Sequence, residues 1–253
     1  MYNYAAITDI GPRFAVNDDR ILVGNAIVSD GEIEGTIHDK FVLVAIADGV
    51  GGLQMGYEAA ELTLCHLSNL NQPEMGRMNI RNTVESTNQK VISLQAELNI
   101  NDGLRTTLAA LYIDGQVAYV INAGDSRVYR FRNNFLEQLS KDHSVVQNLI
   151  DTGEITEEES YSHPKRNVIT KCIGEEDKVN ARIIDYSQDV FPDDLFLLCS
   201  DGISDCLRIE EMNEILLNRR EMSLIEICRE LINKALDNGS IDNISICLMK
   251  KEN

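Results

Sequence analysis

Residues 41–52 read FVLVAIADGVGG, which is seven consecutive apolar residues followed by an aspartate and three glycines in four positions. An apolar run of this length, rich in Val and bounded by turn residues, predicts a strand that is buried on both faces. Asp48 then lies where this strand ends, at the edge of the sheet. Burying an unpaired carboxylate there costs free energy unless a cation binds to it. Gly49, Gly51 and Gly52 allow a sharp turn and a close approach of the backbone to an ion. This stretch therefore predicts a sheet core with a cation at its edge.

Five further segments have the composition of strands and are bounded by turn residues: 107–113, 116–122, 127–132, 195–199 and 244–249. Asp114-Gly115 between the first two is typical of a tight hairpin and predicts antiparallel pairing. Apolar residues at three-and-four spacing predict amphipathic helices over 79–98 and 223–238, and a third over about 56–70. Paired strands with separate amphipathic helices predict sheet layers that are covered by helices.

The chain has 253 residues, with no linker-like stretch and no internal repeat, so we expect a single domain over 1–253. Its one unusual segment is about 142–180, which is polar and weakly periodic. We expect a short helix over 144–151 there and loop elsewhere. Such an insertion is either a lid that faces a substrate or a surface loop that is exposed to solvent.

The net charge of −18 disfavours two classes of partner, because it repels nucleic acid backbones and anionic lipid. The longest apolar run has seven residues, which is too short to span a bilayer. The first residues show no signal-peptide pattern, so we expect a cytoplasmic protein. The six cysteines include no C-x-x-C pair, and we expect reduced core residues.

Aspartates recur where predicted strands begin or end. Asp48 and Asp201 follow apolar runs, Asp125 follows 116–122, Asp242 precedes 244–249, and Asp18-Asp19 lie near the N-terminus. Each one alone is more often a turn residue. Five such positions together favour a shared site, and hard oxygen ligands with only four histidines favour Mg²⁺ or Mn²⁺ over zinc.

Other chemistries lack their sequence patterns. The chain contains no G-x-x-x-x-G-K, no G-x-S-x-G and no H-E-x-x-H, and no cysteine is followed by arginine six residues later. It also has no D-x-D pair for an aspartyl-phosphate mechanism. Of the catalytic mechanisms considered, hydrolysis by metal-activated water is the one that these missing patterns do not exclude.

The motifs together resemble the metal-dependent, type 2C serine/threonine protein phosphatases in a compact bacterial form. TDIGPRFAVNDD (8–19) resembles the N-terminal motif of this family, FVLVAIADGVGG its central metal motif, and GLRTTLAALYIDGQVAYVINAGDSRVYRF (103–131) its core hairpin. LSKDHS, NVITKCIG, LFLLCSDGISD and IDNIS follow in the order of the family. The resemblance implies an α+β fold, a four-layer sandwich in which helix layers flank two mainly antiparallel sheets.

The resemblance also implies roles for single residues. Asp48 bridges two metal ions, the Gly49 carbonyl binds one of them, and Asp201 and Asp242 complete the site of the other. Asp125 with Asp201 holds a third ion in bacterial members. Asp18 and Asp19 hold metal-bound waters, and Arg13 grips the phosphate. The residues expected to act in catalysis are therefore Asp48, Asp201, Asp19 and Arg13.

Two positions depart from the family pattern. Phe14 stands where the family usually has its phosphate-binding arginine, and Arg13 is one residue earlier. Val50 stands where animal-type members have a histidine, which removes one route for protonating the leaving group. A local bulge at Arg13 restores the guanidinium, or else phosphate binding is weakened.

The implied function is hydrolysis of phosphoserine or phosphothreonine in proteins by a hydroxide that bridges two Mn²⁺ or Mg²⁺ ions, in signalling that opposes a Ser/Thr kinase. A monomer is expected, with a phosphoprotein as substrate and a kinase or its targets as further partners. Two alternatives stay open: a noncatalytic binding or sensor domain with a damaged site, and a small-molecule phosphatase.

Overall fold

The computed structural model describes residues 1–50, 55–100, 103–218 and 222–252. One six-stranded sheet contains, in spatial order, Phe135–Gln138 (β11), Arg127–Arg132 (β10), Leu195–Cys199 (β13), Ile244–Lys251 (β14), Tyr2–Asp9 (β1) and Gly31–Ile37 (β4). A second contains Arg182–Asp185 (β12), Val117–Ala123 (β9), Leu108–Asp114 (β8), Phe41–Ala47 (β5), Arg20–Val23 (β2) and Ala26–Val28 (β3). Gly49–Val50 (β6) pairs with Arg105–Thr106 (β7). All of these pairings are antiparallel.

Helices cover the outer faces of the two large sheets and border the site. Their bounds are Gly56–Leu67 (α1), Arg77–Leu98 (α2), Val145–Thr152 (α3), Glu157–Ser160 (α4), Asp201–Ser204 (α5), Ile209–Leu217 (α6) and Leu224–Asp237 (α7), with a 3₁₀ turn at Ser68–Leu70. No helix in the described ranges is both long and apolar enough to cross a membrane.

The apolar run of β5 is buried on both faces because the strand lies in an inner layer. Val44 and Ile46 face the other sheet and belong to the cluster that contains Phe196 of β13. Leu43 and Ala45 face outward and belong to the cluster formed with α1 and α2. A third cluster joins the outer face of the other sheet to α6 and α7. Three apolar layers therefore lie between four layers of secondary structure, which is the sandwich that the family resemblance implies.

The predicted elements occur at or near their expected positions. Strands 41–47, 127–132 and 195–199 match β5, β10 and β13, and the Asp114-Gly115 hairpin joins β8 to β9 with Gly115 at φ +59°. Helices α1, α2 and α7 match the three predicted helices within two residues, apart from the 3₁₀ turn that ends the first.

The expectation of loop over the rest of 142–180 is wrong at one place. Residues Glu157–Ser160 form a helical turn because Thr156 and Glu159 make a reciprocal capping box. The T-x-x-E spacing that signals this turn is visible in the sequence. The preceding helix, α3, was expected over 144–151 and is capped by Ser144.

Candidate functional site

The antiparallel pairing brings the strand ends that carry aspartates to one end of the sandwich. Cys199 of β13 pairs with Ile246 of β14 and with Arg127 of β10, so Asp201, Asp242 and Asp125 come from neighbouring strand ends. Ala47 of β5 pairs with Arg20 of β2, which places Asp48 and Asp18 at the same end of the other sheet. The two sheets therefore present their carboxylates to one cleft.

This cleft has a volume of about 490 Å³. Of the residues predicted to form the site, Asp18, Asp48, Gly49, Asp125, Asp201 and Asp242 line it. Asp19 is fully buried behind them. Val50 also lines the cleft, whereas Gly51 and Gly52 lie outside the described residues.

Arg13 has a different environment from the aspartates. It is exposed, its guanidinium carbon lies 5.5 Å from the centroid of the Phe14 ring, and among the described residues it is not one that lines the cleft. Phe14 does line the cleft. The position that departs from the family pattern therefore contributes an aromatic ring to the site.

Burial and mutual repulsion act on the carboxylates in the same direction. Burial, followed by the charges of Asp19 and Asp201, raises the pKa of Asp48 well above its ordinary value. Burial, followed by the charges of Asp125 and Asp205, raises the pKa of Asp201 well above its ordinary value. These carboxylates therefore lie within electrostatic reach of one another, and their ionised forms are unfavourable without a compensating cation.

Two of the other aspartates show the same effect in smaller measure. Burial, followed by the charges of Asp142 and Asp205, raises the pKa of Asp125 to about 7. Burial also raises the pKa of Asp19 to about 6, although Ser200 donates a hydrogen bond to its Oδ2 at 2.8 Å. The aspartates of the cleft, taken together, therefore favour the binding of a cation.

Two carboxylate oxygens test whether a cation fits here. Oδ1 of Asp19 and Oδ1 of Asp201 are buried and, in the part of the chain that the structure describes, have no hydrogen-bond partner. A buried acceptor without a partner is rare in folded proteins and costs free energy. Hard oxygen donors of this kind are the ligands that Mg²⁺ and Mn²⁺ prefer, so the donor set fits the expected ions.

The carboxylates do not form a closed cage by themselves. Within the described ranges, no three His, Cys, Asp or Glu side chains are grouped tightly enough to hold a metal ion. Like charges repel at short range, so ligands of this kind approach one another only around a cation.

Backbone contacts fix Asp48 in place. Its N–H donates to Thr107 Oγ1 at 3.1 Å, and its carbonyl accepts from the Thr107 N–H at 2.8 Å and from Thr106 Oγ1 at 2.9 Å. Next to it, a Cβ on Gly49 would lie 2.4 Å from the carbonyl carbon of Gly56. Position 49 therefore requires glycine, since the backbones of β6 and α1 approach too closely for a side chain.

Asn243 joins the N-terminal loop to the loop that carries Asp242. Its Oδ1 accepts from the Asp18 N–H at 2.8 Å, and its Nδ2 donates to the carbonyls of Ile10 at 2.7 Å and Val16 at 3.3 Å. Gly202 packs against the same residue, since a Cβ there would lie 2.1 Å from the Asn243 carbonyl oxygen. Sequence reasoning missed this role of Asn243, because its partners are more than 220 residues away.

Arg20 supports the Asp18-Asp19 turn from behind. Its Nη1 donates to the carbonyls of Asn17 at 2.8 Å and Asp19 at 2.7 Å, on either side of Asp18. Its Nε donates to Glu61 of α1 at 3.2 Å. The arginine is 7% exposed, so its two contacts with the carbonyls are made away from solvent, whereas the Glu61 side chain is exposed. Asp18 Oδ1 in turn accepts from the N–H of Tyr57, at the start of the same helix.

Asp205 is a further acidic residue that sequence reasoning missed. Burial raises its pKa, and its charge contributes to the raised pKa of both Asp125 and Asp201. The available signal was the spacing in SDGISD, because an aspartate four residues after Asp201 lies one helical turn further on.

The comparison of sequences decides the family. The profile described as protein phosphatase 2C matches residues 25–239 of this chain, which is most of its length. The chain belongs to the protein phosphatase 2C family. The family that the sequence motifs resemble is therefore confirmed.

Relatives with this fold occur in several bacteria. The serine/threonine phosphatase Stp of Listeria monocytogenes is 32% identical over 222 residues, which cover 85% of this chain and 86% of the relative. The solved structure of the S. agalactiae serine/threonine phosphatase has a TM-score of 0.84 at 29% identity, with all of both chains covered. The catalytic domain of the phosphatase PstP, solved in complex with two manganese ions, has a TM-score of 0.79 at 28% identity over all of both chains. The similarity to these two solved structures thus extends over the length of this chain.

Proposed function

We propose that this protein-serine/threonine phosphatase hydrolyses phosphoserine and phosphothreonine in proteins with two Mn²⁺ or Mg²⁺ ions held by Asp48, Gly49, Asp201 and Asp242. The two unpartnered buried oxygens, Oδ1 of Asp19 and Oδ1 of Asp201, are the main support, since they are acceptors without a donor in the described part of the chain. The relative solved with two manganese ions agrees with this ion count.

When bound, the ions lower the pKa of coordinated water toward neutrality and offset the charge of the phosphate. Asp48, which follows β5 and lines the cleft, would hold both ions. Asp18 and Asp19 orient water through their carboxylates, and Ser200 holds the Asp19 side chain by donating to Oδ2. Asp125, with Asp201, is the proposed position for a third ion. Arg13 is the proposed phosphate-binding cation, and it has to turn away from Phe14 to reach the cleft.

The segment 142–180 is proposed as a lid within a single catalytic domain that spans 1–253. Asn167 and Ile169 of this segment line the cleft. Its helix α4 is joined to the body, because Arg208 donates to both carboxylate oxygens of Glu158 at 3.0 and 2.8 Å. The guanidinium of Arg208 also lies 5.2 Å from the ring centroid of Tyr161. A lid placed in this way selects which phosphoprotein segments reach the ions.

The remaining parts of the proposal concern the cell. We propose a cytoplasmic, monomeric enzyme that acts in bacterial signalling and opposes a Ser/Thr kinase. All six cysteines are free thiols, and Cys172, Cys199, Cys228 and Cys247 are buried, which suits a reducing compartment. The net charge of −18 disfavours nucleic acid and anionic membranes as partners.

The direct test is turnover of a phosphothreonine peptide with excess Mn²⁺ by wild type, Asp48→Asn and Asp201→Asn. Each variant is expected to lose at least about a hundredfold in kcat, since it removes a charged ligand while keeping the shape of the side chain. Asp39→Asn is the matched control, because Asp39 is an exposed carboxylate and its loss changes the net charge by the same amount. Full activity of both site variants would contradict the assignment. Peptide binding without turnover by wild type would favour the sensor alternative.

A further inference from the structure

We propose that Phe14 and Val16 form an apolar platform at the mouth of the cleft, which selects phosphosites flanked by an apolar residue. This proposal rests on the phosphatase function proposed above and names a preference among its substrates. The platform consists of these two residues and the Ala15 between them, in the loop that joins β1 to β2.

The first observation is where the exposed apolar side chains lie. Phe14 is 44% exposed and Val16 is 50% exposed, and both line the cleft together with Asp18 and Asp48. A second apolar edge faces them from the segment 142–180, where Ile169 lines the cleft. Large apolar side chains grouped at a functional cleft indicate a contact surface. The cleft thus combines a carboxylate floor with an apolar rim.

The second observation is that the platform has a fixed position relative to the aspartates. Nδ2 of Asn243 donates to the Val16 carbonyl at 3.3 Å and to the Ile10 carbonyl at 2.7 Å, and Oδ1 of Asn243 accepts from the Asp18 N–H. The loop is therefore attached on both sides of Phe14 to the residue next to Asp242. Because these hydrogen bonds hold the loop on both sides of Phe14, they reduce the conformational freedom that is lost when a side chain binds here.

The occupant of this surface follows from its place beside the carboxylates. A phosphorylated side chain has to enter the same cleft, and a neighbouring residue in an extended peptide lies only about 3.3 Å further along the chain. The residues next to the phosphosite are therefore the ones that meet Phe14. An aromatic ring offers them apolar contact area, whereas the arginine that the family usually has at this position offers charge.

The experiment compares two phosphothreonine peptides of equal charge, which differ only in having Leu or Asn on both sides of the phosphothreonine. For wild type with Mn²⁺, kcat/KM is expected to be about tenfold higher for the Leu peptide, with the difference mainly in KM, because part of a Leu side chain is removed from water. In Phe14→Ser this ratio is expected to fall to about twofold or less.

The matched control is Phe135→Ser. Phe135 is 67% exposed and begins β11, at the end of the sheet away from the cleft, so the peptide ratio should stay at its wild-type value. Equal kcat/KM for the two peptides in wild type, or an unchanged ratio in Phe14→Ser, would overturn the platform. Failure of wild type to release phosphate from either peptide would instead overturn the phosphatase function on which the proposal rests.

Discussion

Asp19→Asn should stabilise the metal-free protein, although the residue lies in the catalytic site. Asp19 is fully buried, and burial raises its pKa from 3.8 to about 6. A carboxyl with a raised pKa favours folding below its ordinary pKa, and this contribution is lost as the pH rises through the higher value. At neutral pH the ionised side chain therefore opposes folding, and a neutral amide of the same shape does not.

The magnitude follows from the two pKa values. A rise from 3.8 to about 6 corresponds to about 3 kcal/mol in the free energy of unfolding, at about 1.4 kcal/mol per pKa unit. Asp19→Asn should recover up to about 3 kcal/mol near pH 8, but less than about 1 kcal/mol near pH 4, where the folded wild type is already protonated at Asp19.

Urea unfolding in the presence of a chelator measures this difference at both pH values. Asp39→Asn is the control, since an exposed carboxylate should give a change of less than about 0.5 kcal/mol at either pH. With excess Mn²⁺ the order should reverse, because wild type gains more from the ion than the variant does. An Asp19→Asn protein that is no more stable than wild type near pH 8, or that gains equally at both pH values, would refute the reasoning.

Three further substitutions test other parts of the site. Gly202→Ala should cost about 1–3 kcal/mol of unfolding free energy and weaken Mn²⁺ binding, because the added Cβ would lie 2.1 Å from the Asn243 carbonyl oxygen. Gly76→Ala is the control and should cost little, since no atom lies within 4 Å of its added Cβ. Equal costs for the two substitutions in urea unfolding would contradict the packing argument. Arg20→Met should lower the free energy of unfolding by about 2–4 kcal/mol and raise the Kd for Mn²⁺ in calorimetry, since two buried carbonyls lose their donor. An unchanged Kd would show that the arginine does not position the Asp18-Asp19 turn. Phe14→Arg should lower KM for free phosphothreonine about fivefold or more by adding a charged donor, and a KM that stays the same or rises would count against the cleft position of residue 14.

The strands that could be predicted from the sequence are those whose burial is visible locally. FVLVAIA is apolar throughout because β5 has buried neighbours on both faces, and LFLLC in β13 is apolar for the same reason. Strand β1, YNYAAITD, was not predicted, since polar residues interrupt its pattern and its pairing with β14 joins opposite ends of the chain. Strand β4, GEIEGTI, was not predicted either; its exposed and half-buried residues alternate, but it is an edge strand in which glycine takes one of the inward positions.

The residues of the candidate site likewise include some that could be predicted from the sequence and some that could not. Asp48 and Asp201 could be recognised because a carboxylate directly after an apolar strand is unusual. The roles of Asn243 and Arg20 could not, because they consist of hydrogen bonds to backbone atoms whose positions depend on the complete fold. The exposed place of Phe14 beside the carboxylates likewise depends on how the loop between β1 and β2 is attached.

The central claim is that aspartates from distant parts of the chain hold divalent ions together, and calorimetric titration of the chelator-treated protein with Mn²⁺ tests it most directly. Wild type should bind at least two ions, while Asp48→Asn and Asp201→Asn should each lose a site or weaken it at least about tenfold. Wild type that binds no ion, or variants that bind the same number with the same affinity, would contradict the claim.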